Sequence, residues 1–94
     1  MNMKLIELAI PANRKFVLYF GIKMSINEDH HFIATDQWGD VMSFKKRPIK
    51  KDFRFGWEND GTDDSELPEL VAKVDLNGID WNNTLKTVEE CLFT

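Results

Sequence analysis

The sequence predicts an α+β fold: a single, mainly antiparallel sheet of about five to six strands with one C-terminal amphipathic helix. Three observations predict it. Apolar residues alternate along most of the chain, the period of half-buried strands. The stretch HFIATDQWGDVMSF, residues 31–44, holds two such runs around a turn. After Asp80 the spacing of apolar residues changes to that of a helix.

Residues 4–10 alternate, with Ile6, Leu8 and Ile10 on one side, and Pro11 stops the run. Residues 16–26 read as one long strand. Phe16, Leu18, Phe20, Ile22, Met24 and Ile26 share one parity, and Gly21 is a place for a bend. Asn27-Glu28-Asp29 is a polar turn into the hairpin. There Asp36 opens the turn by accepting a backbone N–H, and Gly39 supplies positive φ. Phe32 and Ala34 share one face of the incoming strand, opposite Ile33 and Thr35. Met42 and Phe44 share one face of the outgoing strand, opposite Val41 and Ser43. A one-residue slip would exchange the two sets.

Beyond Pro48, Phe53, Phe55 and Trp57 alternate with Asp52, Arg54 and Gly56, a fifth strand with its aromatics in the core. Residues 58–68 are a polar loop. Leu70, Ala72, Val74 and Leu76 form a sixth strand, ended by Asn77-Gly78. Asp80 can cap a helix over residues 81–92, with Trp81, Leu85, Val88 and Leu92 as its apolar stripe. Glu89 and Glu90 oppose the dipole at its C-terminal end.

The chain has 94 residues, read as one domain over residues 1–94, and buries roughly 60–65% of its unfolded surface. No apolar run approaches the ~20 residues of a membrane span, and no signal peptide is evident. The expected location is cytoplasmic, host cytoplasm for a phage-encoded chain. The sequon at Asn82 then has no role. Cys91 is the single cysteine, so no disulfide forms within the chain.

Charge is uneven. Residues 1–57 carry ten basic and six acidic side chains; residues 58–94 carry two and ten. Half of the basic residues are Lys45, Lys46, Arg47, Lys50, Lys51 and Arg54. They suggest nucleic-acid contact with an adjacent aromatic stacking on bases. The plainer reading, a solvated loop guarding a sheet edge, is preferred, because the aromatics alternate like core residues and nearby acids repel phosphate. Those acids are Glu58, Asp60, Asp63, Asp64, Glu66 and Glu69. A calcium loop fits them poorly, since Asp63 stands where glycine is required. They read as a flexible loop or as a patch that docks on a basic groove of another protein.

Catalytic signatures are missing. No phosphate-binding or dinucleotide glycine motif occurs, nor Gly-x-Ser-x-Gly. His30 and His31 are adjacent and on a strand point to opposite faces, so no shared metal is expected. Cys91 lacks a basic neighbour to activate it. No enzyme activity, cofactor or metal is expected.

FIATDQWGDVMSF, followed by Arg47-Pro48 and later by Asp80-Trp81-Asn82-Asn83-Thr84-Leu85, resembles small phage- and prophage-encoded accessory proteins. These carry an Ala-x-Asp-x-x-Gly hairpin, an aromatic strand and a late Asp-Trp-x-x-(Ser/Thr)-Leu segment. The match covers about a quarter of the chain. The resemblance implies an interaction protein that inhibits host machinery, including restriction or CRISPR defence. The leading expectation is therefore a host protein or protein complex as partner. It would be bound through Trp57, Glu58, Asp60, Asp63, Asp64, Glu66 and Glu69, with Trp38 as a further contact. The alternative is a nucleic-acid-binding module using Lys45, Lys46, Arg47, Lys50, Lys51 and Arg54. No membrane partner is expected, and an open second sheet face would suggest a homodimer.

Overall fold

Phe20-Gly21 splits the expected long strand in two. Phe20 sits at φ 47 and Gly21 at φ 82, so both adopt the left-handed region that a two-residue hairpin loop requires. The flanking strands are β1 (Arg14–Tyr19) and β2 (Ile22–Asn27), with Tyr19 paired to Ile22. Paired residues share a face, so the turn exchanges the parity of the buried set. Val17 and Tyr19 point inward on β1, and Met24 and Ile26 on β2. Phe16, Leu18 and Phe20, expected inside, are exposed. A phenylalanine where hairpins favour asparagine or glycine hid the turn.

The computed structural model of the chain describes Met3, residues 14–59 and residues 67–91. The expected strand over residues 4–10 lies outside these. The remaining strands are β3 (Phe32–Thr35), β4 (Asp40–Phe44), β5 (Ile49–Lys51), β6 (Gly56–Glu58), β7 (Glu69–Lys73) and β8 (Lys86–Thr87). Short 3-10 turns cover Asp52–Arg54, Trp81–Asn83 and Val88–Cys91, and no α-helix occurs among the described residues. The architecture is mainly β, which corrects the α+β expectation.

Strands β7-β4-β3-β8 form one antiparallel sheet; β1-β2 and β5-β6 are separate hairpins. β2 lies beside β7, and the 3-10 turn Val88–Cys91 lies beside β1, so the first hairpin closes the sheet into an incomplete barrel. Val17, Tyr19, Met24, Ile26, Ile33, Val41, Val88 and Cys91 fill it. Each buried aliphatic contributes roughly 1.5–3 kcal/mol. Exposing even a few of them would forfeit as much as the net stability of a small domain, so strand parity is strongly specified.

The β3–β4 hairpin has the expected register. Phe32 pairs with Phe44 and Ala34 with Met42 on one face; Ile33 pairs with Ser43 and Thr35 with Val41 on the other. Asp36 Oδ1 accepts the N–H groups of Trp38 and Asp40 at 2.9 and 3.0 Å. Gly39 stands at φ 88, and its carbonyl accepts Val74 N–H at 2.8 Å. A Cβ there would lie 2.0 Å from the Val74 carbonyl oxygen. The glycine is thus required twice, by dihedral and by approach. Ile33 and Val41 are fully buried, so the open face that suggested a homodimer is absent at these positions.

The expected C-terminal helix is replaced by two short turns around β8. Asp80 does cap, accepting Asn82 N–H at 3.0 Å, but the cap opens only one turn. Asn82, Asn83 and Thr84 are weak helix formers, and Thr84 has better partners elsewhere. Its Oγ1 accepts Thr35 N–H at 2.9 Å and faces the Thr35 and Trp81 carbonyls at 2.9 and 2.7 Å. Its own carbonyl accepts the Tyr19 hydroxyl at 2.7 Å. One threonine therefore joins β1, β3 and the turn. Downstream, Thr87-Val88-Glu89-Glu90 has the capping-box pattern and its glutamate half: Glu90 Oε1 accepts Thr87 N–H at 3.1 Å and also the Thr87 hydroxyl at 3.0 Å. Those bonds hold the Glu90 carboxyl below its usual range. The box marks a fresh start inside the region read as one helix.

Candidate nucleic-acid interface

β6 lies beside β3, and the turn between β5 and β6 meets the Asp36–Gly39 turn. Ile49 pairs with Glu58, Lys50 with Trp57 and Lys51 with Gly56. The expectation of a continuous aromatic strand over residues 53–57 fails here. Residues Asp52–Arg54 form a 3-10 turn, and Phe55 follows in the left-handed region at φ 54. Phe53 is 74% exposed and Phe55 46%, so neither joins the core. Both Phe-Gly dipeptides of the chain, at 20–21 and 55–56, behave alike: the phenylalanine takes positive φ and faces solvent.

Phe55 anchors the tip to its neighbour. Its carbonyl accepts Gln37 N–H at 2.9 Å, and its ring meets Trp38 edge-on at 6.0 Å between centroids. Trp38 itself is 58% exposed. Trp57 is half-buried; its indole N–H donates to the Thr35 carbonyl at 3.1 Å, and its ring packs edge-on against Trp81 at 6.0 Å. The hairpin is thus pinned at both ends while three aromatic rings stay open to solvent.

Arg54 lies beside Phe53 in the turn and Lys50 and Lys51 lie on β5, which leads into it, whereas Lys45, Lys46 and Arg47 follow the far end of β4 from Trp38. Lys45, Lys46, Arg47, Lys50 and Arg54 are exposed and Lys51 is half-buried. The Arg47 guanidinium lies 6.0 Å from the Phe32 ring centroid, and the Arg54 guanidinium 5.5 Å from that of Phe53. Lys50 lies 3.5 Å from Asp52, and Arg54 pairs with Glu58. These pairs are exposed and weak, so both cations remain able to exchange partners. Between the hairpin and the Trp81–Asn83 turn lies an open cleft of about 470 Å³, lined by Arg47, Lys50, Trp57, Asn82, Asn83 and Leu85.

The acidic residues are divided. Asp60, Asp63, Asp64 and Glu66 lie outside the described residues. Glu58 is taken up by Arg54. Glu69 lies on β7, where Oε2 pairs with Arg14 at 2.6 Å and Oε1 is buried without a hydrogen bond. It serves the closure between the first hairpin and β7. Trp57 is likewise held within the fold.

His30 is buried, and its Nδ1 lies 2.6 Å from Ser43 Oγ; burial lowers its pKa from 6.5. Burial also raises the pKa of Cys91, the opposite of an activated thiol. No cluster of three or more His, Cys, Asp or Glu suited to a metal occurs among the described residues. No helix among them is long and apolar enough to cross a membrane.

Two parts of this surface escaped sequence reasoning. Phe53 and Phe55 read as core residues because their alternation imitates a strand. Asn82 and Asn83 were hidden inside the expected helix. The signals that could have found them are the repeated Phe-Gly dipeptide and the capping box at residues 87–90. Comparison with protein-family models, curated proteins and solved structures returns no match.

Proposed function

We propose that the protein binds single-stranded nucleic acid through the β5–β6 hairpin. The observation that carries this reading is the exposure of Phe53, Phe55 and Trp38 at one end of a hairpin that carries Lys50, Lys51 and Arg54, with Arg47 at its other end. Exposed aromatic faces stack on bases at about 1–3 kcal/mol each, and the cations hold the intervening phosphates. The conformation of Phe55 supports the same view. Holding a non-glycine residue at positive φ costs roughly 1–2 kcal/mol, and here it presents a ring to solvent. The exposure of Phe53 and Phe55 removes one of the two arguments against nucleic-acid contact, their expected burial; the other, the nearby acids, stands.

The test is fluorescence anisotropy with a labelled single-stranded oligonucleotide of about 12 nucleotides, within the footprint typical of small β-domains. Micromolar or tighter binding is expected at about 50 mM salt. With up to four phosphate contacts, log affinity should fall against log salt with a slope of roughly −2 to −3. Phe53→Ala with Phe55→Ala should weaken binding about tenfold or more and leave that slope unchanged. Absence of binding at low salt overturns the proposal. In that case the acidic surface over residues 58–69 becomes the leading site, tested by charge reversal at Asp60, Asp63 and Asp64 in a host-lysate pull-down.

A further inference from the structure

The cleft beside Trp57 holds more than charge and an aromatic ring. We infer that Asn82 and Asn83 make it an adenine-selective base pocket, an inference that rests on the single-strand binding proposed above. A stacked base is sequence-neutral, because every base has a π face. Selectivity needs a donor and an acceptor side by side, fixed in place before the base arrives. A carboxamide is such a pair, and it matches the N6–H and N7 edge of adenine.

Local structure fixes the Asn82 amide and the backbone of Asn83. Asp80 Oδ1 accepts both Asn82 N–H at 3.0 Å and Asn82 Nδ2–H at 2.8 Å. The Asp80 carbonyl accepts Asn83 N–H at 2.9 Å, and the Trp81 carbonyl accepts Thr84 N–H at 3.2 Å. Thr84 then ties the turn to the barrel through Thr35 and Tyr19. Asn82 keeps its carbonyl oxygen and one amide N–H for a ligand. Asn83 is exposed and makes no side-chain hydrogen bond to another described residue, so its whole amide is available.

The rest of the cleft suits a nucleotide. Trp57 forms one wall, held by its bond to Thr35 and its contact with Trp81. Lys50 lies across the strand pair from Trp57, one residue from Lys51, on the side leading to the Phe53 and Phe55 tip. A base against Trp57 would therefore place its phosphates along the cations of the same hairpin. Arg47 also lines the cleft, so a guanine preference in the titrations would assign the base edge to it rather than to the asparagines.

The experiment compares anisotropy titrations of the full chain with dA, dT and dC homo-oligomers and a dG-dT repeat, all of about 12 nucleotides. The expected result is a dA preference of about fivefold or more. Asn83→Ala or Asn82→Ala should collapse it to near parity while the salt slope stays unchanged. Asn83→Asp, which presents only acceptors, should shift the preference from dA toward dC. Circular dichroism and thermal unfolding confirm that the variants fold. Binding without a dA preference, a preference for another base, or one that survives both alanine variants overturns the pocket and leaves the hairpin proposal standing. Failure of every oligonucleotide to bind overturns both.

Discussion

Replacing Gly39 by alanine tests the packing logic of the whole sheet. Two costs add. Alanine at φ 88 suffers the left-handed penalty of roughly 1–2 kcal/mol. The new Cβ would also lie 2.0 Å from the Val74 carbonyl oxygen, so the end of β7 must move away from the turn. That movement breaks the 2.8 Å bond from Val74 N–H to the Gly39 carbonyl, at a cost of roughly 1–3 kcal/mol. The expected loss is about 3–4 kcal/mol, a large share of what a small domain has. Gly21→Ala is the matched control. It has φ 82, but nothing lies within 4 Å of its added Cβ, so only the conformational cost of about 1–2 kcal/mol applies. Urea denaturation of both variants measures the difference. In thermal unfolding Gly39→Ala should melt at least about 12 °C below the parent. If it loses no more stability than Gly21→Ala, the close approach of β7 to the turn is wrong.

Other outcomes follow from buried polar groups. Burial raises the Tyr19 pKa from 10.0 to about 12, against the opposing effect of its hydrogen bonds to Thr35 and Thr84. Its unfolded pKa is lower, so stability should hold up to about pH 10 and fall by roughly 2–3 kcal/mol as pH rises to about 12. Tyr19→Phe should remove that alkaline decline and cost about 1–3 kcal/mol at neutral pH, since the Thr84 carbonyl loses its donor. For His30 the folded pKa lies below 6.5, so stability is complete above pH 6.5 and declines as pH falls below it. His30→Phe should flatten that part of a stability-versus-pH profile. Arg14→Ala should destabilise by about 1–3 kcal/mol in urea melts, because it leaves the half-buried Glu69 carboxylate unpaired.

Legibility in the sequence followed how local each determinant was. The Asp36–Gly39 turn and the β3–β4 register needed only Asp36, Gly39 and the flanking alternation, and these sufficed to derive them. The basic stretch was visible as a candidate surface for the same reason. The first hairpin was not, because Phe20 imitates a strand residue and the exchange of parity depends on partners far along the chain. Val17 and Tyr19 face inward because the barrel there offers apolar neighbours and, for the Tyr19 hydroxyl, Thr35 and Thr84.

The same division applies to the C-terminal region and the candidate site. By itself the sequence determined a strand-rich chain, the central hairpin, the Asp80 cap and the separation of charge. Tertiary structure decided that the cap opens a single turn, since Thr84 gains more from the edge of β3 than from a helix. It also decided that Phe53 and Phe55 stand outside, because they fall in and just after a 3-10 turn while Trp57 on β6 bonds to Thr35. Alternation reports which residues share a face. Only the packed neighbours determine whether that face meets core or water.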